Sequence, residues 1–142
     1  MTQTPEHSPQ RAAPESFRAR SMNASLTVKD LPKSLGFYAG ILGFTIEQKY
    51  EREGKLVAAS LKAGDVAILL NQDDGAKGWD RIKGVGFSLQ FNTVQDVDAL
   101  AKGIKSRGGT LDLEPADMPW GARIFRLHDI DGYHLVFSAE KA

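Results

Sequence analysis

One pattern occurs twice in this chain, and that duplication limits its folding options more than any other feature. A short apolar segment with Leu26 and Val28 leads to Asp30, then to a run with Leu35, Tyr38, Ile41 and Leu42 that closes at Gly43. This order predicts a strand, an N-cap, an amphipathic helix and a C-terminal glycine. Three strands are expected next, at 44–50, 55–61 and 66–70, joined by turns at Glu53-Gly54 and Ala63-Gly64-Asp65. The order then repeats. A strand at 85–91 precedes a helix from about Asp96, with Val97, Leu100 and Ile104 at helical spacing, and then Gly108-Gly109. Three more strands follow, near 110–114, 122–128 and 133–138. Laying one half on the other places Asn23 over Phe87, 64 residues apart, and Ile68 over Val136, 68 apart. The expectation is an α+β fold of two tandem β-α-β-β-β modules, about 22–71 and 85–139, joined by a linker at 72–84. Each module buries one sheet face under its helix, so the curved mixed sheets keep a second face free to surround a pocket.

Composition removes several function classes. The 142 residues carry 18 basic and 18 acidic side chains, so no broad field attracts nucleic acid or anionic lipid. No apolar run approaches the roughly 20 residues of a spanning helix, and the N-terminus lacks a secretory pattern. A cytoplasmic protein without membrane or nucleic-acid partners is expected. Cysteine is absent, which excludes thiol catalysis, thiolate-bound zinc and iron–sulfur clusters. Residues 1–21 hold Pro5, Pro9 and Pro14 among polar neighbours, with Phe17 the only aromatic residue. They read as a flexible tail ahead of a single domain from 22 to 142.

The run Leu26-Thr27-Val28-Lys29-Asp30-Leu31-Pro32-Lys33-Ser34, followed by Phe37-Tyr38 and Leu42-Gly43-Phe44, resembles the opening of vicinal oxygen chelate proteins. This is the glyoxalase, bleomycin-resistance and dioxygenase superfamily. Asp96-Val97-Asp98-Ala99-Leu100 and the stretch from Pro119-Trp120-Gly121 to Asp129-Ile130-Asp131-Gly132-Tyr133 look most like its bleomycin-resistance branch. Ile130 departs from that pattern, where proline is usual. The resemblance implies a homodimer of glyoxalase/bleomycin-resistance-like fold. It also implies a choice between ligand sequestration and metal-dependent lyase, isomerase or dioxygenase chemistry.

Enzymes of the superfamily hold a divalent metal with four side chains, typically His, Glu or Gln, His and Glu. Carried onto this chain, the four positions fall on Asn23, near Ile68, on Phe87 (with a slip to Ser88 or Leu89) and on Val136. These residues do not make a metal site. No metal, no cofactor and no catalytic residue are therefore assigned. The matched positions Asn23, Ile68, Phe87 and Val136 are expected to face the pocket instead. His134 shares a strand face with Val136 and joins them, as does Ser138. His128 and His134 flank the turn at 129–132 and are expected to approach across a hairpin.

Aromatic and cationic groups complete the candidate ligand-binding set. Trp120 either closes a cavity mouth or packs on its own sheet edge. Arg123 either clamps an anionic or carbonyl group or pairs internally with Asp117 or Glu114. Trp79 lies in the long polar linker, which is either a lid or a plain connector. No phosphate-binding loop, esterase elbow or catalytic carboxylate pair is recognisable. The function expected is metal-free binding of a small molecule, such as an antibiotic or another aromatic metabolite, with a metal-dependent glyoxalase-type enzyme as the alternative.

Overall fold

The computed structural model describes residues 16–140, so most of the expected tail, with His7, lies outside the described residues. Two four-stranded mixed sheets form, one from each repeat. In the first, β1 (Ala24–Val28), β4 (Val66–Gln72), β3 (Lys55–Ala63) and β2 (Thr45–Arg52) lie side by side in that order. In the second, the order is β5 (Ser88–Thr93), β8 (His134–Glu140), β7 (Ala122–His128) and β6 (Leu113–Asp117). The first strand of each module runs parallel to the last, and the other pairs are antiparallel. That is the expected architecture, built twice.

Local chemistry explains the helices. Helix α1 (Leu31–Leu35) starts where the Asp30 carboxylate accepts from the Lys33 N–H, with Pro32 in the first turn. It continues as a π-helical turn over Gly36–Ile41 rather than as the regular helix expected. Gly36 and Gly40 weaken the α preference there, and the widened turn holds Tyr38 fully buried. Helix α2 (Val97–Ser106) begins at Asp96, whose side chain accepts from the Asp98 and Ala99 N–H groups. Its buried Val97, Ala101 and Ile104 form a single stripe. The chain then turns through Gly108 and Gly109. A Cβ on Gly109 would sit 2.5 Å from the Ile104 Cγ2 and 3.0 Å from the Ile41 Cγ2, so no side chain fits between the two modules here.

Two strands start three residues later than expected. Strand β5 begins at Ser88, not 85, because Gly84 (φ 78°) and Gly86 (φ 89°) take left-handed conformations that break a strand. Strand β6 begins at Leu113 and pairs irregularly with β7 between Leu113 and Ala116.

The modules share one core. Leu26, Val28, Leu61, Ile68 and Leu70 of the first sheet and Phe125, Leu127, Leu135 and Phe137 of the second belong to the same buried cluster. An aromatic chain crosses between them: Tyr38 against Phe44 at 5.5 Å, Phe44 against Phe91 at 5.7 Å, Phe91 against Phe137 at 5.3 Å, and Phe137 stacked on Phe125 at 4.8 Å. Polar ties sit at the same seam. The Tyr38 hydroxyl donates to Asp129 at 2.7 Å, the Tyr133 hydroxyl to the Thr27 carbonyl at 2.9 Å, and the Arg107 Nε to the Ile41 carbonyl at 2.9 Å. None of the helices among the described residues is long and apolar enough to cross a membrane.

Candidate ligand-binding cavity

Strand pairing in the second sheet sorts its side chains into two faces. Leu135, Phe137, Phe125, Leu127, Leu89 and Phe91 join the core under α2. The intervening residues form rows on the opposite face. Ser88, His134 and His128 are direct partners across β5, β8 and β7; Gln90, Val136 and Arg126 make the next row; Asn92, Ser138 and Ile124 the third. On this face Ala122, Ile124 and Val136 form a second, smaller buried cluster, with Leu113 and Met118 packed against it. They make an apolar floor.

An open cavity of about 740 Å³ lies over that floor, lined by all three residues of the His128 row, all three of the Arg126 row, and Ile124. Phe87, Asp112 and Trp120 stand among its remaining lining residues. The volume falls in the range of ordinary small-molecule sites. All of its lining residues come from the second module.

The cavity's polar groups differ in how they are engaged. His128 Nδ1 lies 2.8 and 3.0 Å from the two Asp112 carboxylate oxygens, which fixes the ring and leaves Nε2 unheld by that pair. Arg126 is exposed, and no hydrogen bond or ion pair engages its guanidinium among the described residues. Trp120 is two-thirds exposed, on the β6–β7 loop closed by the Met118 N–H to the Ala122 carbonyl at 2.7 Å.

Four of the eight residues singled out from the sequence come together here: Phe87, Trp120, His134 and Val136. The other four do not. Ile68 is 2% exposed in the row Ala24, Ile68, Leu61 and Ile46, which faces the core. Its neighbour Leu69 takes the opposite face, and a shift of one residue along a strand accounts for the difference. Asn23 is exposed just before β1 and does not line the cavity. Trp79 lies over Gly75 within its own linker, where a Cβ on Gly75 would run into the indole.

Arg123 is spent internally. Its Nε and Nη2 donate to the two Asp98 oxygens at 2.7 and 2.9 Å, and Nη1 donates to Asp117 at 3.0 Å. It lies on the core-side register of β7 with Phe125, and these bonds pin the first turn of α2 to the sheet. The Arg123 guanidinium holds the Asp98 carboxyl below its ordinary value, and the two carboxylates raise that of Arg123 in turn. Of the internal partners expected from sequence, Asp117 is one; Glu114 instead meets Lys105 at 2.8 Å.

Sequence reading passed over Arg126 and Gln90 and gave Ser88 only as a slipped register. The signal was present in the Asp129–Gly132 turn. With His128 placed opposite His134 across it, Arg126 falls opposite Val136.

The positions that the resemblance assigns to a metal do not fit one. With the register corrected by the structure they present the Asn23 amide, the Leu69 side chain, the Ser88 hydroxyl and the Val136 side chain, two of them hydrocarbon. Divalent ions in catalytic sites take imidazole and carboxylate. His128 and His134 are neighbours, yet no group of three or more His, Asp or Glu side chains suited to a metal occurs among the described residues.

Comparison with known proteins agrees with the fold. Residues 21–137 match the family described as Glyoxalase/Bleomycin resistance protein/Dioxygenase superfamily. A Vibrio cholerae protein named "Probable lactoylglutathione lyase" is 32% identical over 120 residues, covering 80% of this chain and 86% of that protein. A Synechocystis protein of the same name is 29% identical, covering 80% and 90%. A superfamily member from Sphaerobacter thermophilus superposes with a TM-score of 0.71 at 25% identity, over 87% of this chain and 98% of that one. TioX from Micromonospora shares the fold at 19% identity, with a TM-score of 0.68 over 87% and 100% of the two chains. With the duplicated β-α-β-β-β topology and a match spanning most of its length, the chain belongs to the glyoxalase/bleomycin resistance protein/dioxygenase superfamily.

Proposed function

We propose that this chain binds a small molecule without a metal ion, in the cavity on the open face of its second module. One observation carries the reading: the positions that serve as metal ligands in enzymes of the superfamily hold two hydrocarbon side chains here, while the cavity that Ser88 and Val136 line is open and has aromatic walls. Sequestration of an aromatic metabolite or antibiotic, as in the bleomycin-resistance branch, is the activity this favours. Because the lining comes from one module alone, a homodimer in which a second copy covers the open side fits the same reading.

The relatives named lactoylglutathione lyase favour a second reading, a metal-dependent lyase. One experiment separates the two. The purified, untagged chain is incubated with zinc, nickel, manganese or ferrous iron, desalted exhaustively, and assayed for metal content and lactoylglutathione lyase turnover. Metal well below one equivalent and no turnover is the expected result. Stoichiometric metal together with turnover would overturn the binding reading.

A further inference from the structure

Resting on the binding function proposed above, the geometry points to the chemical class of the ligand: a planar aromatic carboxylate, its acid group held by Arg126 and its ring lying on the Ile124 and Val136 floor toward Trp120. The charge arrangement is the first support. Asp112 is the cavity's one carboxylate and it is engaged by His128 through both oxygens, whereas Arg126 carries a full positive charge with no partner among the described residues. The formal charges of the lining cancel, one carboxylate against one guanidinium, but both Asp112 oxygens are turned to the His128 ring while the Arg126 donors meet no protein acceptor among the described residues, so Arg126 is the charged group left to a ligand.

Position is the second support. Arg126 occupies the middle row, beside Val136 and two residues along β7 from Ile124, so a donor fork and an apolar surface lie next to each other. Successive same-face residues on a strand are about 7 Å apart, close to the length of a benzoate from ring edge to carboxylate. Trp120 stands at the β6–β7 loop that feeds into this end of the sheet, where its exposed indole can meet a ring face. A guanidinium presents paired N–H donors that match a carboxylate in the plane, and a planar acid meets that requirement while lying flat on the floor. A cationic ligand would meet Arg126 unscreened.

Isothermal titration calorimetry on the full-length chain tests the class with three probes of one shape: 2-naphthoate, its neutral primary amide, and 2-naphthylmethylamine as the cation. Naphthoate is expected to bind about tenfold or more tighter than the amide, because hydrogen bonds to a charged group are the stronger ones, and the amine weakest. Arg126→Gln should bring the ratio of naphthoate to amide affinity close to one, and Arg126→Lys should leave it in between, since lysine keeps the charge and loses the fork. Equal affinities in the wild type, or a preference that survives Arg126→Gln, would overturn the assignment while leaving small-molecule binding in place. If none of the three probes binds, the cavity reading itself fails and this inference with it.

Discussion

Replacing Tyr38 with phenylalanine isolates the polar tie between the two modules. The ring is fully buried and packs edge-on against Phe37 and Phe44, each at 5.5 Å, and phenylalanine keeps those contacts. What disappears is the hydroxyl that donates to Asp129 Oδ2 at 2.7 Å. Asp129 is itself 3% exposed; its other oxygen accepts from the Asp131 N–H at 3.0 Å and the Tyr133 N–H at 2.8 Å. Removing one donor from a buried carboxylate costs about 2 kcal/mol, the scale of a hydrogen bond to a charged group. For a chain of this size that corresponds to a fall in Tm of about 7 °C.

The pH dependence has a definite sign. Burial raises the Asp129 carboxyl above its ordinary value of 3.8, against the lowering effect of the Tyr38 hydroxyl and the Tyr133 N–H. A group whose folded value is raised lowers stability as pH climbs from the unfolded value through the folded one. Tyr38→Phe removes one lowering influence and raises the folded value further, so the stability difference between variant and wild type grows from pH 4 toward neutrality. Urea unfolding at pH 4 and pH 7, with the slope checked for constancy, measures it. A difference equal at both pH values, or absent at pH 7, would refute the reasoning.

Three further outcomes are expected. Gly109→Ala should lower stability by about 1–3 kcal/mol, the usual cost of overpacking, because its methyl would press on Ile104 and Ile41; thermal melts read this directly. Lys83→Met removes a buried ammonium that lies 3.3 Å from Asp73 and 3.7 Å from Asp131. Asp73 is held below its ordinary value first by the Gly75 N–H and then by Lys83 and Arg81, so the stability it contributes is present above about pH 4 and is lost as pH falls through its lowered folded value. The variant's urea midpoint should drop at pH 7, and the gap should narrow in acid. Arg123→Ala should lower the melting temperature by freeing α2 from β7, yet leave naphthoate affinity within about twofold, because its pairs lie on the core side and distant sites act independently. A large loss of affinity in Arg123→Ala would return that residue to the binding set.

Much of the fold was legible from local chemistry alone. The aspartates at 30 and 96 cap helices because a side-chain carboxylate there satisfies exposed N–H groups, and that requirement is written in a few adjacent residues. The turn from Asp129 to Gly132 is local too, with the Gly132 N–H donating back to the Asp129 carbonyl at 3.1 Å. Duplication made the order of strands readable, since each half repeats the other's punctuation.

The faces of the strands were a different matter. In β4 the run Val-Ala-Ile-Leu-Leu has no alternation, so nothing in the sequence says whether Ile68 or Leu69 meets the helices; packing against α1 and the neighbouring strands chose Ile68. Arg123 and Arg126 are three residues apart and thus on opposite faces of β7. Which one is neutralised depended on Asp98 and Asp117 arriving on the helix side from elsewhere in the chain. Capping, turns and repeats are determined by neighbours along the chain and so belong to the sequence by itself. The cavity, and a guanidinium in it with no partner among the described residues, depend on the register of three strands and the placement of a helix, which only the tertiary structure decided.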